Sequence, residues 1–144
     1  MVSLRPNPMS EFDSISDELQ TVSDAQRSIV FYERCLAPLG ITVVQRQPEF
    51  GAAIFAGSSE FPFLWVWPAE GDYYGTSLTP SVHRPLHLAF VAPSRQAGDE
   101  FHALSLLHGG TDNGTPEDEG NGYYAAYVLD PDGNNVEAGF RMKA

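Results

Sequence analysis

A carboxylate in the middle of a strand, flanked by apolar neighbours, can do chemistry only if its face of the sheet is not bulk solvent. Glu137 stands in such a place. Tyr123 to Phe140 reads as two strands around Asp130-Pro131-Asp132-Gly133, with Asp at i, Pro at i+1 and Gly at i+3 of a type I turn. After the turn, Val136, Ala138 and Phe140 alternate with Asn135, Glu137 and Gly139, so one face is apolar and the other carries the carboxylate. In solvent Glu137 is an ordinary surface charge. In a cavity it is desolvated, needs a partner or a raised pKa, and can serve as a general base near neutral pH. The hairpin register decides what faces it. A type I turn followed by a bulge at Gly133 puts Tyr127 across from Glu137; a four-residue loop puts Ala126 there, with Tyr124 on the same face. Both tyrosines are therefore candidate substrate-binding residues, Tyr127 the preferred one. No motif context for a Ser, Cys or His nucleophile and no Gly-rich phosphate loop is present. Cys35 falls in an apolar helical stripe and reads as core.

The elements that would position Glu137 come twice. Residues 1–13, with Pro6 and Pro8, read as an irregular extension, and a strand is expected within Ser16–Val22. Ser23-Asp24-Ala25-Gln26 is a capping-box pattern, and the helix it opens carries Ala25, Ile29, Tyr32, Leu36 and Leu39 near one stripe until Pro38 and Gly40 close it. Strands are expected at Ile41–Arg46, Phe50–Ala56 and Phe61–Trp67, the last apolar on both faces. A long loop, 71–85, containing His83, follows. Then Leu86–Ala92 reads as a strand, Ser94–His108 as a helix, Thr111–Gly114 as a short strand and Gly114–Gly122 as a polar loop before the hairpin. The pattern strand, helix, three strands is thus repeated. It predicts an α+β fold of two βαβββ modules, 14–70 and 86–141, in one domain of residues 14–141, with sheets curled around a pocket. In such a sheet one face of Phe61–Trp67 lines the pocket, which makes Trp65 and Trp67 candidate aromatic walls for a substrate.

Composition narrows the partners. A formal net charge of -11 argues against nucleic acid and anionic membrane, both of which attract basic surfaces. Glu117-Asp118-Glu119 reads as a solvated loop. The opening residues show no secretory signal and no stretch is apolar enough to span a bilayer, so a soluble cytoplasmic protein is expected.

Three segments carry a family resemblance: Val22 to Tyr32 with Leu36-Ala-Pro-Leu-Gly40, His87-Leu-Ala-Phe-Val-Ala-Pro-Ser94, and Tyr123 to Ala138. In this order they resemble the vicinal oxygen chelate superfamily of glyoxalases, bleomycin resistance proteins and extradiol dioxygenases. The resemblance implies paired βαβββ modules, a homodimer, and a divalent metal (zinc, nickel, iron or manganese) held by residues of the first and last strand of each module. By position His87 and Glu137 match two of those ligands. Asp17 or Glu18 stands near a third, and the fourth falls in Phe63–Trp67, which has no carboxylate. Two ligands, or three, imply a weakly bound ion.

Two functions are open at this point. One is a small-molecule-binding protein of this superfamily acting as a metal-dependent lyase, isomerase or dioxygenase, with Glu137 catalytic. The other is a metal-free protein that sequesters an aromatic or cationic compound, for which the acidic charge and the aromatics are suited.

Overall fold

The computed structural model describes residues 2–4, 22–59, 61–67 and 86–142. Their order is β1 (Val2–Leu4), α1 (Val22–Cys35), a 3-10 turn (Ala37–Leu39), β2 (Thr42–Gln47), β3 (Ala52–Ala56), β4 (Pro62–Val66), β5 (His87–Val91), α2 (Arg95–Leu107), β6 (Thr111–Gly120), β7 (Tyr123–Leu129) and β8 (Asn135–Arg141). This is the expected α+β series of strand, helix and three strands, given twice. The strands form two four-stranded sheets, ordered β1-β4-β3-β2 and β5-β8-β7-β6. The chain divides into two compact units, Met1–Ile29 with Ile41–Arg84, and Val30–Gly40 with Pro85–Ala144. The segment Val30–Gly40, which the sequence boundary at 14–70 put in the first half, thus packs within the second. No helix among the described residues is long and apolar enough to cross a membrane.

In the first unit, β3 is buried along its whole length and β4 from Leu64 onward, as strands apolar on both faces should be. Ala52, Ile54, Trp65 and Trp67 make one cluster, with Phe50 packed against it. Two expectations need correction here. Val2–Leu4, inside the extension read as irregular, forms a strand paired antiparallel with β4; three residues are too few to show a pattern but enough to satisfy a sheet edge. Helix α1 begins at Val22, so Ser23 lies inside it rather than before it. The strand expected within Ser16–Val22 and the loop 71–85 lie outside the described residues, apart from Val22.

The second unit has a clear division of faces. Leu88 and Phe90 of β5, Ala126 and Val128 of β7, and Val136 and Ala138 of β8 are buried, and the pairs Leu88–Val136, Phe90–Ala138, Ala126–Ala138 and Val128–Val136 are in register. Each large apolar side chain so buried contributes about 1.5–3 kcal/mol. Helix α2 covers this face. Ser94 caps it by accepting from the Ala97 amide at 3.0 Å. Gly40, with φ 80, ends the 3-10 turn after α1 as expected. The stretch Gly114–Gly122 is not a loop: it belongs largely to β6, which pairs with β7 through repeated register shifts. Its exposed acidic run follows from an edge position. The missed signal was Asn121-Gly122, both at positive φ (54 and 75), the two-residue turn that most strongly marks a hairpin.

The Asp130–Gly133 turn forms as read, with the Gly133 amide donating to the Asp130 carbonyl at 2.9 Å. Asp130 itself is buried. Its Oδ1 accepts from the Asp132 and Asn134 amides at 2.9 and 2.8 Å, and its Oδ2 from Asn134 Nδ2 at 2.9 Å and the Tyr32 hydroxyl at 2.5 Å. Asn134 then accepts from the Leu86 amide at 2.9 Å, and the Asn135 amide donates to the Leu86 carbonyl at 2.9 Å. One carboxylate thereby ties the turn to α1, and its neighbour Asn134 ties it to the start of β5. Replacing Asp130 by Ala strands at least four donors. The expected loss is about 3 kcal/mol or more in urea unfolding, against about 1–2 kcal/mol for Tyr32→Phe, which removes one bond to a charged group.

Candidate functional site

The hairpin places Tyr127 directly across from Glu137, and the parallel β5–β8 pairing places His87 beside Asn135 and Ala89 beside Glu137. Of the two loop geometries open from the sequence, the bulged one is present. Side chains at His87, Ala89 and Val91 share the Glu137 face and are exposed, while Leu88 and Phe90 are buried beneath. Glu137 is only 8% exposed although its face is partly open.

Its carboxylate is held by two side chains. His87 Nε2 lies 3.0 Å from Oε2, and the Tyr123 hydroxyl donates to Oε1. Tyr123 was missed by the sequence reading, although it has the parity of Tyr127 and so the same face. It stands opposite Arg141, four residues along β8 from Glu137, and reaches the carboxylate diagonally across Gly139. Gly139 makes that reach possible: a Cβ there would fall on the Tyr123 hydroxyl. The Arg141 guanidinium lies 5.0 Å from the centre of the Tyr123 ring, a cation–π distance. Gly114 likewise leaves room for the Tyr127 ring, which a Cβ would approach to 3.0 Å.

Electrostatics match the geometry. Burial, then hydrogen bonding to Glu137, pushes the Tyr123 phenol up to about 12, and burial with the Glu137 charge raises Tyr127 as well. Both phenols therefore stay neutral donors at neutral pH. Chemically the array is one acceptor of charge, two hydroxyls and an imidazole on one patch of sheet. It can hold a hydrogen-bonding or positively charged group, or move a proton at Glu137.

Other sequence candidates go elsewhere. Tyr124 is on the opposite face; its hydroxyl donates to Asp99 of α2 at 2.6 Å and Arg95 lies over its ring, which corrects its assignment to the substrate patch. The physical reason is the period of two in a strand: Tyr124 and Tyr127 cannot share a face. Trp65 and Trp67 are buried to 0% and 1% exposure in the first unit's cluster, and Trp65 Nε1 has no hydrogen-bond partner among the described residues. His102 is tied to Asp112 at 2.8 Å, and His108 closes α2. Burial pushes the Cys35 thiol up to about 12, so it is a core residue and not a thiolate. A cleft of about 350 Å3 lined by Glu33, Arg34, Ala37, Leu104 and His108 contains no part of the Glu137 array.

The metal expectation can be tested on the donors. His87 and Glu137 converge, and their 3.0 Å separation equals that of two ligands held at a right angle about 2.1 Å from one ion. Among the described residues no third His, Cys, Asp or Glu joins them. Asp17, Glu18 and His83 lie outside the described residues. Two protein donors are fewer than the three that hold a catalytic zinc, so the described set does not fit a firmly held ion.

One prediction concerns Tyr123. Its raised pKa means that the neutral phenol stabilises the fold fully below its unfolded value of about 10 and that this is lost as pH rises through about 12. In ultraviolet titration, the difference between wild type and Tyr123→Phe should show one phenol ionising near 12, and Glu137→Gln should move that step down. Gly139→Ala should destabilise by about 1–3 kcal/mol and move it too, because the ring is displaced.

Comparison with known proteins completes the description. The sequence profile of the Glyoxalase/Bleomycin resistance protein/Dioxygenase superfamily matches residues 13–138. No functionally curated protein matches the chain. A glyoxalase/bleomycin resistance protein from Albidiferax ferrireducens T118 is similar in structure, with TM-score 0.57 and 27% identity over 81% of this chain and 89% of that one. A glyoxalase-related enzyme from Fulvimarina pelagi aligns with TM-score 0.62 and 20% identity, over 87% and 84% of the two chains. A lactoylglutathione lyase from Agrobacterium tumefaciens aligns with TM-score 0.53 and 21% identity, over 81% and 85%. The last two show a shared fold alone.

Proposed function

Because the chain belongs to the Glyoxalase/Bleomycin resistance protein/Dioxygenase superfamily, we propose that it binds a small organic molecule on the Glu137 face of the second sheet. The observation that carries this is Glu137 itself. A nearly buried carboxylate, bonded to His87 on one oxygen and Tyr123 on the other, stands beside Tyr127 on a face left partly open. A core needs no such array, and a surface carboxylate is not buried this far. The ligand class it suits is a cationic or hydrogen-bond-donating group attached to an apolar or aromatic body, since Glu137 accepts and the tyrosines offer ring faces. With a metal-poor donor set, the residues bind, orient and exchange a proton at Glu137 without needing an ion.

A second reading keeps the metal, supported by the His87–Glu137 separation. In it His87 and Glu137, with Asp17 or Glu18, would hold a divalent ion whose charge stabilises an anionic form of the substrate, as in a lyase, isomerase or dioxygenase. A separate aromatic contact at Trp65 is supported by its N–H, which has no partner among the described residues and for which a ligand acceptor would offset the cost of burial. The chain is proposed to act as one domain, 14–141, in a homodimer.

Elemental analysis of protein purified without chelators separates the two readings. Less than one equivalent of metal after dialysis is expected; one equivalent retained, and lost in His87→Ala, would establish the metalloprotein. For the ligand, aromatic amines found by thermal-shift screening should lose about 1.5–3 kcal/mol of binding in Glu137→Gln, the scale of a bond to a charged group. Hits whose affinity is unchanged in both Glu137→Gln and Tyr127→Phe would remove the site from this face. Trp65→Ala should weaken a ligand that stacks on this tryptophan by about 1–3 kcal/mol. Light scattering that shows only monomer at high micromolar concentration would remove the homodimer.

A further inference from the structure

The contacts of His87 point one way. Its Nε2 lies 3.0 Å from Glu137 Oε2. An ionised carboxylate only accepts, so this is a hydrogen bond only with the proton on Nε2. Its Nδ1 lies 3.4 Å from Asn135 Nδ2, an amide nitrogen that only donates, which makes Nδ1 the acceptor. At its other end Asn135 accepts through Oδ1 from Asn113 Nδ2 at 3.0 Å. Donation therefore runs in one sense from Asn113 through Asn135 and His87 to Glu137, and Tyr123 donates to Glu137 from the other side.

We infer that Asn135 is a positioning residue that holds the His87 imidazole in its Nε2–H tautomer, so that the His87–Glu137 pair is a hydrogen-bonding unit and not a preformed half of a metal site. The polarity is opposite to what a ligating imidazole needs. A metal-bound histidine almost always donates its other ring N–H to a carboxylate, a carbonyl or water. Here the other ring nitrogen faces a donor, and the nitrogen aimed at Glu137 carries the proton that a metal would have to displace. Asn135 is placed for this by β8: it pairs with His87 across the parallel ladder and its side chain shares the His87 face. The inference concerns the site of the proposed function but stands whether or not a ligand binds there.

It predicts a one-residue conversion. Asn135→Asp would put an acceptor at Nδ1–H and free the Nε2 lone pair. The test has two readouts on the full chain in weakly alkaline buffer. Long-range proton–nitrogen correlation spectra, with His87→Gln to assign the signals among the four histidines, should show His87 as the Nε2–H tautomer in wild type and shifted toward Nδ1–H in Asn135→Asp. Titration with cobalt(II), followed by its visible absorption, should show about 10- to 100-fold tighter binding in Asn135→Asp, the scale of changes next to a ligating histidine. The gain should vanish in Asn135→Asp/His87→Gln; if it persists, the added charge alone explains it and the inference fails. Wild-type His87 observed as the Nδ1–H tautomer would also overturn it, and that spectrum decides the matter even if Asn135→Asp does not fold.

Discussion

A buried carboxylate with every lone pair occupied is the constraint on which the second unit depends. Asp130 would be costly to bury alone, since an ion without partners in a low-dielectric interior loses its hydration. It is compensated by two turn amides, the Asn134 side chain and the Tyr32 hydroxyl. The compensation also raises the Tyr32 phenol well above its ordinary range, through burial first and the Asp130 charge second. Because Asn134 is held on Asp130, its free oxygen is aimed at the Leu86 amide, and β5 enters the sheet at one position only. A slip of one residue in that pairing would turn His87 toward α2 and part it from Glu137.

From that anchor the two faces of the sheet separate their tasks. The face under α2 is apolar and filled. The other face carries Glu137, His87, Tyr123, Tyr127 and Asn135, and its geometry relies on absent side chains as much as present ones. Gly139 opens the diagonal along which Tyr123 reaches the carboxylate, and Gly114 makes room for Tyr127. Glycine inside strands usually weakens them, and a close approach across the sheet is a common reason for its presence. Here the approach is made by tyrosine rings.

Family membership and site chemistry answer different questions. The superfamily shares a fold on which several unrelated activities are built, so the fold does not select among them. What bears on this chain is its donor set among the described residues. The first module's last strand offers Leu64, Trp65 and Val66, all fully buried, where the family resemblance implies a ligand. In the second module a histidine and a glutamate meet, and a tyrosine bonds the second oxygen of the carboxylate. Hydrogen bonding accounts for both oxygens of the carboxylate.

Much of this was present in local sequence. Alternation marked β8, Pro and Gly at their fixed offsets marked the turn, Ser94 marked the start of α2, and turn chemistry at Gly133 narrowed the residue across from Glu137 to Tyr127 or Ala126, with Tyr127 preferred. These are short-range effects: φ preferences, caps and a side-chain period of two act over a few residues and leave their trace in adjacent letters. The tertiary structure alone decided the rest. Tyr32 meets Asp130 across 98 residues, and the union of His87 with Glu137 depends on a parallel pairing that the family resemblance implied but no local pattern carries. Tyr123 enters the site only because a glycine on the next strand leaves space, and Tyr124, turned to the other face by the register, meets Asp99 of α2 there. The acidic stretch after Gly114 carries no apolar alternation, so its strand is specified by the edge of β7 and by the Asn121-Gly122 turn. Periodicity can say that a residue faces one side of a sheet. What it meets there is set by desolvation and packing among segments far apart in the chain.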